Sequence, residues 1–98
     1  MEQIEKIAKA LKELGHPIRL QIFTTIIRFG NTGIEVGKIK DELGLAGSTL
    51  SHHISALASA GLIHQKRDSR KLMCFVNEDE IKAITTFLDS YCCTHQDC

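Results

Sequence analysis

The sequence predicts a mainly α winged helix-turn-helix fold, in the order α-α-α-α-β-β-α, within one domain of residues 1–98. Three observations carry that expectation. Two short helical stretches, 35–43 and 48–60, flank a tight turn rich in glycine and small residues. After Gly61 the apolar pattern stops recurring at three- and four-residue steps and becomes short, strand-like runs around a polar turn. A further amphipathic helix follows that hairpin, which makes the hairpin a wing.

The elements follow in order. Ile4, Ile7, Ala8, Leu11 and Leu14 recur at helical spacing and define one face of a first helix. Gly15-His16 ends it, and Pro17, whose fixed φ suits a first-turn position, opens the second. There Ile18, Ile22, Ile26 and Phe29 form a stripe that Leu20, Phe23 and Ile27 widen, as in a central core helix. Gly30-Asn31-Thr32-Gly33 is a turn. Residues 35–43 turn Val36, Ile39 and Leu43 inward, with Gly44 just past the end. Ser48-Thr49 opens the next helix, whose inward residues are Leu50, Ile54, Leu57 and Ala58. Leu62–Arg67 and Arg70–Val76 are strands about an Asp68-Ser69 turn. Asn77 is expected to cap the last helix in a capping box with Glu80, and Glu78, Asp79 and Glu80 suit its positive N-terminal end. Its apolar face is Ile81, Ile84, Phe87, Leu88 and Tyr91.

At 98 residues, with 43% apolar and 24% charged residues, the chain is an ordinary globular domain. That excludes a disordered tail, a collagen-like chain and a low-complexity linker. No apolar stretch approaches the ~20 residues of a membrane span, and Met-Glu-Gln-Ile-Glu-Lys does not begin like a secretory signal. The expected compartment is the cytoplasm, with no membrane partner. A domain this small buries only about two-thirds of its unfolded surface, so a partner subunit, a metal or a disulfide would help it. The first and last helices carry more apolar surface than one small core can use, which predicts a homodimer joined through residues 2–14 and 79–91.

Net charge is zero, but it is unevenly spread. Residues 16–71 carry eight Lys/Arg against four acids, whereas residues 72–98 carry Lys82 against five. A basic middle and an acidic end point to one surface presented to an anionic partner. Nothing resembles a phosphate-cradling glycine loop or a nucleophile–base pair, so an enzyme is not expected.

Three segments resemble the ArsR/SmtB family of metalloregulatory repressors. They are Ala10-Leu11-Lys12-Glu13-Leu14-Gly15-His16-Pro17-Ile18-Arg19-Leu20, Leu50-Ser51-His52-His53-Ile54-Ser55-Ala56-Leu57 and Ala60-Gly61-Leu62-Ile63. The likeness covers roughly residues 8–91. It implies a homodimeric repressor that binds double-stranded operator DNA and releases it when an inducer binds.

In such a fold the second helix of the motif lies in the major groove, where base edges are distinguishable. Its outward residues are Ser48, Thr49, Ser51, His52 and Ser55, all able to hydrogen-bond at close range. Long cationic side chains are missing from it. The wing supplies them in Lys66, Arg67, Arg70 and Lys71, placed to reach phosphates or a neighbouring minor groove. Helix capping is the plainer role of Ser48 and Thr49, a hydrogen-bonded half-buried site that of His53, and a solvated hairpin tip that of the wing. A winged helix that binds only protein is the rival class.

Four cysteines are present: Cys74, Cys92, Cys93 and Cys98. Cys74 reads as a small buried hydrophobe in a strand. The other three fall in a tail, residues 92–98, which predicts a thiol site rather than a disulfide framework. Thiolates favour soft centres, and trivalent arsenic or antimony takes three sulfurs in a pyramid, so Cys92, Cys93 and Cys98 match it as an inducer. With His95 the same thiols make a four-ligand set for zinc, cadmium or lead. Exposed thiols could also form a redox switch. The resemblance implies other sites that this sequence lacks. Ile34-Glu35-Val36-Gly37-Lys38-Ile39 holds no Cys-x-Cys pair, and Asp79 to Ser90 holds no histidine for the zinc site on the last helix.

Overall fold

The computed structural model describes residues 2–92. Five helices surround a small antiparallel sheet: α1 (Glu2–Leu14), α2 (Pro17–Phe29), β1 (Ile34–Glu35), α3 (Val36–Leu43), α4 (Gly47–Ser59), β2 (Ile63–Asp68), β3 (Lys71–Val76) and α5 (Glu78–Cys92). This is the winged helix-turn-helix that the sequence predicts, with one addition. β1 has only two residues, too few to show a period of two, and sequence reading passes over it. It pairs Ile34 with Cys74 and Glu35 with Met73, so the hairpin becomes a three-stranded sheet in the order β1-β3-β2.

The helices run in the register that their apolar spacing sets. His16 is extended before Pro17, because the proline ring disfavours helical geometry in the residue before it. Ile22, Phe23 and Ile26 of α2, Leu50, Ile54 and Leu57 of α4, Ile39 of α3, and Leu62, Ile63 and Cys74 form one core. Burying each large aliphatic side chain contributes roughly 1.5–3 kcal/mol. Leu20 and Ile27, expected to widen the buried stripe of α2, are instead 44% and 38% exposed. Among the described residues that side of α2 is left open to solvent. On α1, Ile7 and Ala10 are buried while Ile4 and Leu11 remain open.

Two local expectations are corrected. The hairpin turn is Ser69-Arg70, not Asp68-Ser69, because Asp68 pairs with Lys71 at the end of the ladder. Ser69 takes the left-handed conformation, φ 61°, that such a tight turn demands. At the start of α5 the capping box does not form. The Asn77 side-chain amide donates to the Gly61 carbonyl at 2.9 Å, and the Asn77 backbone N–H donates to Leu62. Glu80, left without the N–H it would cap, turns to Lys6 of α1 at 3.2 Å. Its carboxylate is buried, and Oε1 has no hydrogen-bond partner among the described residues.

Gly33 joins α2 to the sheet at φ 76°, and a Cβ there would lie 2.5 Å from the Phe75 ring. Only glycine lets the chain pass so close to the wing. Gly44 ends α3 in the left-handed conformation; its N–H and that of Leu45 both donate to the Lys40 carbonyl, which closes the helix and starts the turn. No helix among the described residues is long and apolar enough to cross a membrane.

Candidate nucleic-acid interface

Helix α4 begins at Gly47, with Ala46 as the residue before its first turn, so neither Ser48 nor Thr49 sits at the capping position. Their hydroxyls are left for the surface. Ser48, Thr49, Ser51, His52 and Ser55 are all exposed, while Leu50, His53, Ile54 and Leu57 face inward. The helix therefore offers short polar groups on one side and anchors itself by the other. β2 and β3 carry Lys66, Arg67 and Lys71, and Arg70 lies in the turn between them; all four are exposed.

The ladder divides these cations between two faces. Arg67 pairs with Leu72 on the same side of the sheet as Ile63, Gln65 and Cys74, the side toward α4. Lys66 and Lys71 share the other side, where His64 stacks on Phe75 with ring centroids 5.3 Å apart. Between α4 and the wing lies a cleft of about 170 Å³, lined by Val36, Ser51, Ile54, Ser55, Gln65 and Leu72. Gln65 thus stands beside two residues of the recognition face, and sequence reading missed it. The signal was there: strand alternation puts a polar residue two places after the inward Ile63.

His53 is the histidine whose plainer role prevails. It is 6% exposed and accepts a hydrogen bond at Nδ1 from Arg19 Nε at 3.2 Å. Burial holds its pKa below 6.5, helped by the charge of Arg19 and by His16 and His52. Arg19 also donates through Nη1 to the Glu13 carbonyl and carboxylate. Cys74 is fully buried, and burial pushes its thiol up to about 11.

Of the expected thiol site, Cys92 is the last residue of α5 and is exposed; Cys93, His95 and Cys98 lie outside the described residues. Among the described residues no three His, Cys, Asp or Glu side chains come together to hold a metal ion.

Residues 14–66 match the helix-turn-helix domain family. An uncharacterized HTH-type transcriptional regulator of Methanocaldococcus jannaschii is 33% identical over 89 residues, 91% of this chain and 98% of the relative. The chain belongs to the helix-turn-helix transcriptional regulators. This DNA-binding regulator is accordingly not an enzyme. The biofilm growth-associated repressor of Xylella fastidiosa is 23% identical over 95 residues, 97% of this chain and 81% of that protein. In architecture the regulator is similar to an ArsR-like transcriptional regulator from Rhodococcus, with a TM-score of 0.81 at 16% identity over 93% of this chain and 83% of that one.

Proposed function

We propose that this regulator is a homodimeric repressor of the ArsR type that binds its operator through α4 and the wing and is released by a thiophilic inducer. The observation that carries the DNA-binding part is the exposed row Ser48, Thr49, Ser51, His52 and Ser55 beside four exposed cations of the wing. The row reads base edges in the major groove and the cations hold phosphates. The likeness to a named repressor supports the direction of control.

Binding of duplex DNA from upstream of its own coding sequence, titrated against salt, tests this reading. Affinity falls steeply as salt rises, because bound phosphates release counterions. Replacing Arg70 or Lys71 by alanine lowers the slope by about one each, while replacing Thr49 or Ser51 changes base preference. Binding that ignores both salt and sequence would favour a protein-interaction module instead.

The dimer is read from open apolar side chains on the two outer helices. Ile4, Leu11, Leu88 and Tyr91 are 42–64% exposed. Pairing α1 and α5 across a two-fold axis covers them and sets two α4 helices about one DNA turn apart, ~34 Å.

The inducer assigned to this repressor is trivalent arsenic or antimony, held by the thiolates of Cys92, Cys93 and Cys98. Cys92 at the exposed end of α5 supports this, since it lies one residue past Tyr91 on the proposed dimer helix. Gathering the tail onto α5 would bias subunit packing and so the spacing of the two α4 helices. Couplings of this kind are typically ~1–3 kcal/mol, roughly 5–150-fold in affinity. Native mass spectrometry of the reduced protein with arsenite, antimonite, zinc and cadmium in turn identifies the ion. Serine at any of the three positions abolishes release of DNA by arsenite without weakening DNA binding. His95→Ala changes nothing for arsenic but weakens zinc or cadmium. A normal arsenite response in Cys98→Ser would rule out the three-thiol site within one chain.

A further inference from the structure

A chain of hydrogen bonds crosses three helices behind the recognition face. Glu13 near the end of α1 takes the Nη1 of Arg19, at 3.3 and 3.4 Å to its two carboxylate oxygens and 3.3 Å to its backbone carbonyl. Arg19 of α2 donates through Nε to Nδ1 of His53 on α4 at 3.2 Å. The side chains of Arg19 and Glu13 are only 12% and 21% exposed. Water therefore competes weakly for these bonds. His53 directly follows His52 of the recognition row and lies one turn from Thr49.

We infer that Glu13, Arg19 and His53 form a positioning relay that fixes the recognition helix against α1 and α2 only while His53 is neutral. This rests on the reading of α4 as the DNA-facing helix. The chemistry is that of an acceptor nitrogen. Nδ1 can receive the Arg19 N–H only without its own proton. A proton on Nδ1 removes the acceptor and sets an imidazolium against a guanidinium. The charged and titratable groups facing His53 are Arg19 from α2, His16 from the α1–α2 connection at 4.8 Å between ring centroids, and His52 from α4 itself at 5.6 Å. The one carboxylate in the group, Glu13, is bound to Arg19 rather than to His53. Among the described residues no anion therefore offsets a charge on His53, and the depressed pKa agrees with this. Because α1 is also a proposed dimer helix, the relay gives subunit packing a direct hold on α4.

The test is operator affinity of the full chain from pH 7.5 to 5.5 at constant salt, on duplex DNA from upstream of its own coding sequence. The comparison is with His53→Asn, which keeps an uncharged acceptor near the Nδ1 position, and His53→Phe, which fills the space without one. Wild type loses affinity in acid relative to His53→Asn, by up to about tenfold for each pH unit below the His53 pKa, because only the neutral fraction docks. His53→Asn matches wild type at pH 7.5 and holds that affinity in acid. His53→Phe, shown by circular dichroism to be folded, binds more weakly at pH 7.5. The relay is overturned if His53→Asn shows the wild-type acid loss, or if His53→Phe binds as wild type does. Should wild type bind no such duplex at any pH, the repressor reading fails, and imidazole nitrogen NMR judges the relay alone. An unprotonated Nδ1 accepting from Arg19 at pH 7.5, its shift lost in Arg19→Ala, upholds it; a protonated Nδ1 at pH 7.5 overturns it.

Discussion

Cys74 and Cys92 show how little a residue type says about reactivity. Both carry thiols, but Cys74 is fully buried in β3 with its pKa raised to about 11, whereas Cys92 is exposed. At pH 8 only about one Cys74 in a thousand is thiolate. Alkylation of the native protein therefore leaves Cys74 unmodified, and mass spectrometry finds it labelled only after denaturation. His53 makes a second prediction. Its native pKa lies below the 6.5 of an unperturbed histidine, so the unfolded chain takes up the proton first. Its contribution to stability is complete above about pH 6.5 and is lost as pH falls through the native value. Thermal melting from pH 7.5 to 5.5 should lower the Tm of wild type more than that of His53→Asn. Equal losses would show that His53 does not charge on unfolding.

At the scale of elements, the wing depends on a joint that belongs to none of its own residues. Gly33 sits between α2 and β1, and the Phe75 ring occupies the space where a side chain would begin. Gly33→Ala must move that ring and also adopt a left-handed φ, at a cost of about 1–3 kcal/mol. For a domain of this size each kcal/mol lowers Tm by about 4–8 °C. Calorimetry of Gly33→Ala measures it, and an unchanged Tm would mean the sheet gives way freely there. The cations follow the same logic. Arg67 faces α4 while Lys66 and Lys71 face away, so Arg67→Ala should alter sequence preference as well as salt slope, and Lys66→Ala the slope alone. Binding measured on operator and random duplexes separates the two.

For the whole molecule, shape and surface agree. The described chain extends 49 × 24 × 23 Å, and its radius of gyration of 14.8 Å exceeds the roughly 13 Å of a compact chain this long. The second half of α5 is exposed from Leu88 onward, including Tyr91 at 64%. One subunit does not cover that apolar surface. Leu11→Glu together with Leu88→Glu should yield a folded monomer by sedimentation velocity and weaken operator binding, since one α4 then meets one half-site. A double variant that sediments like wild type would remove α1 and α5 from the interface.

The sequence by itself determined the five helices and the wing, because apolar spacing and the turn glycines are local signals. It also determined which side of α4 is polar, since Leu50, Ile54 and Leu57 can face only one way. The family resemblance rests on the same segments. What only the tertiary structure decided are pairings between distant residues. Ile34 and Glu35 become a strand because β3 has an edge to offer them, and nothing in two residues announces it. Asn77 and Glu80 look like a capping box, but Gly61 and Lys6 take their side chains. Arg19 lies 34 residues from His53, and no spacing rule connects them. Local pattern fixes elements because neighbours share a backbone geometry. Partners across the fold depend on packing, where a side chain takes the nearest satisfied bond in three dimensions.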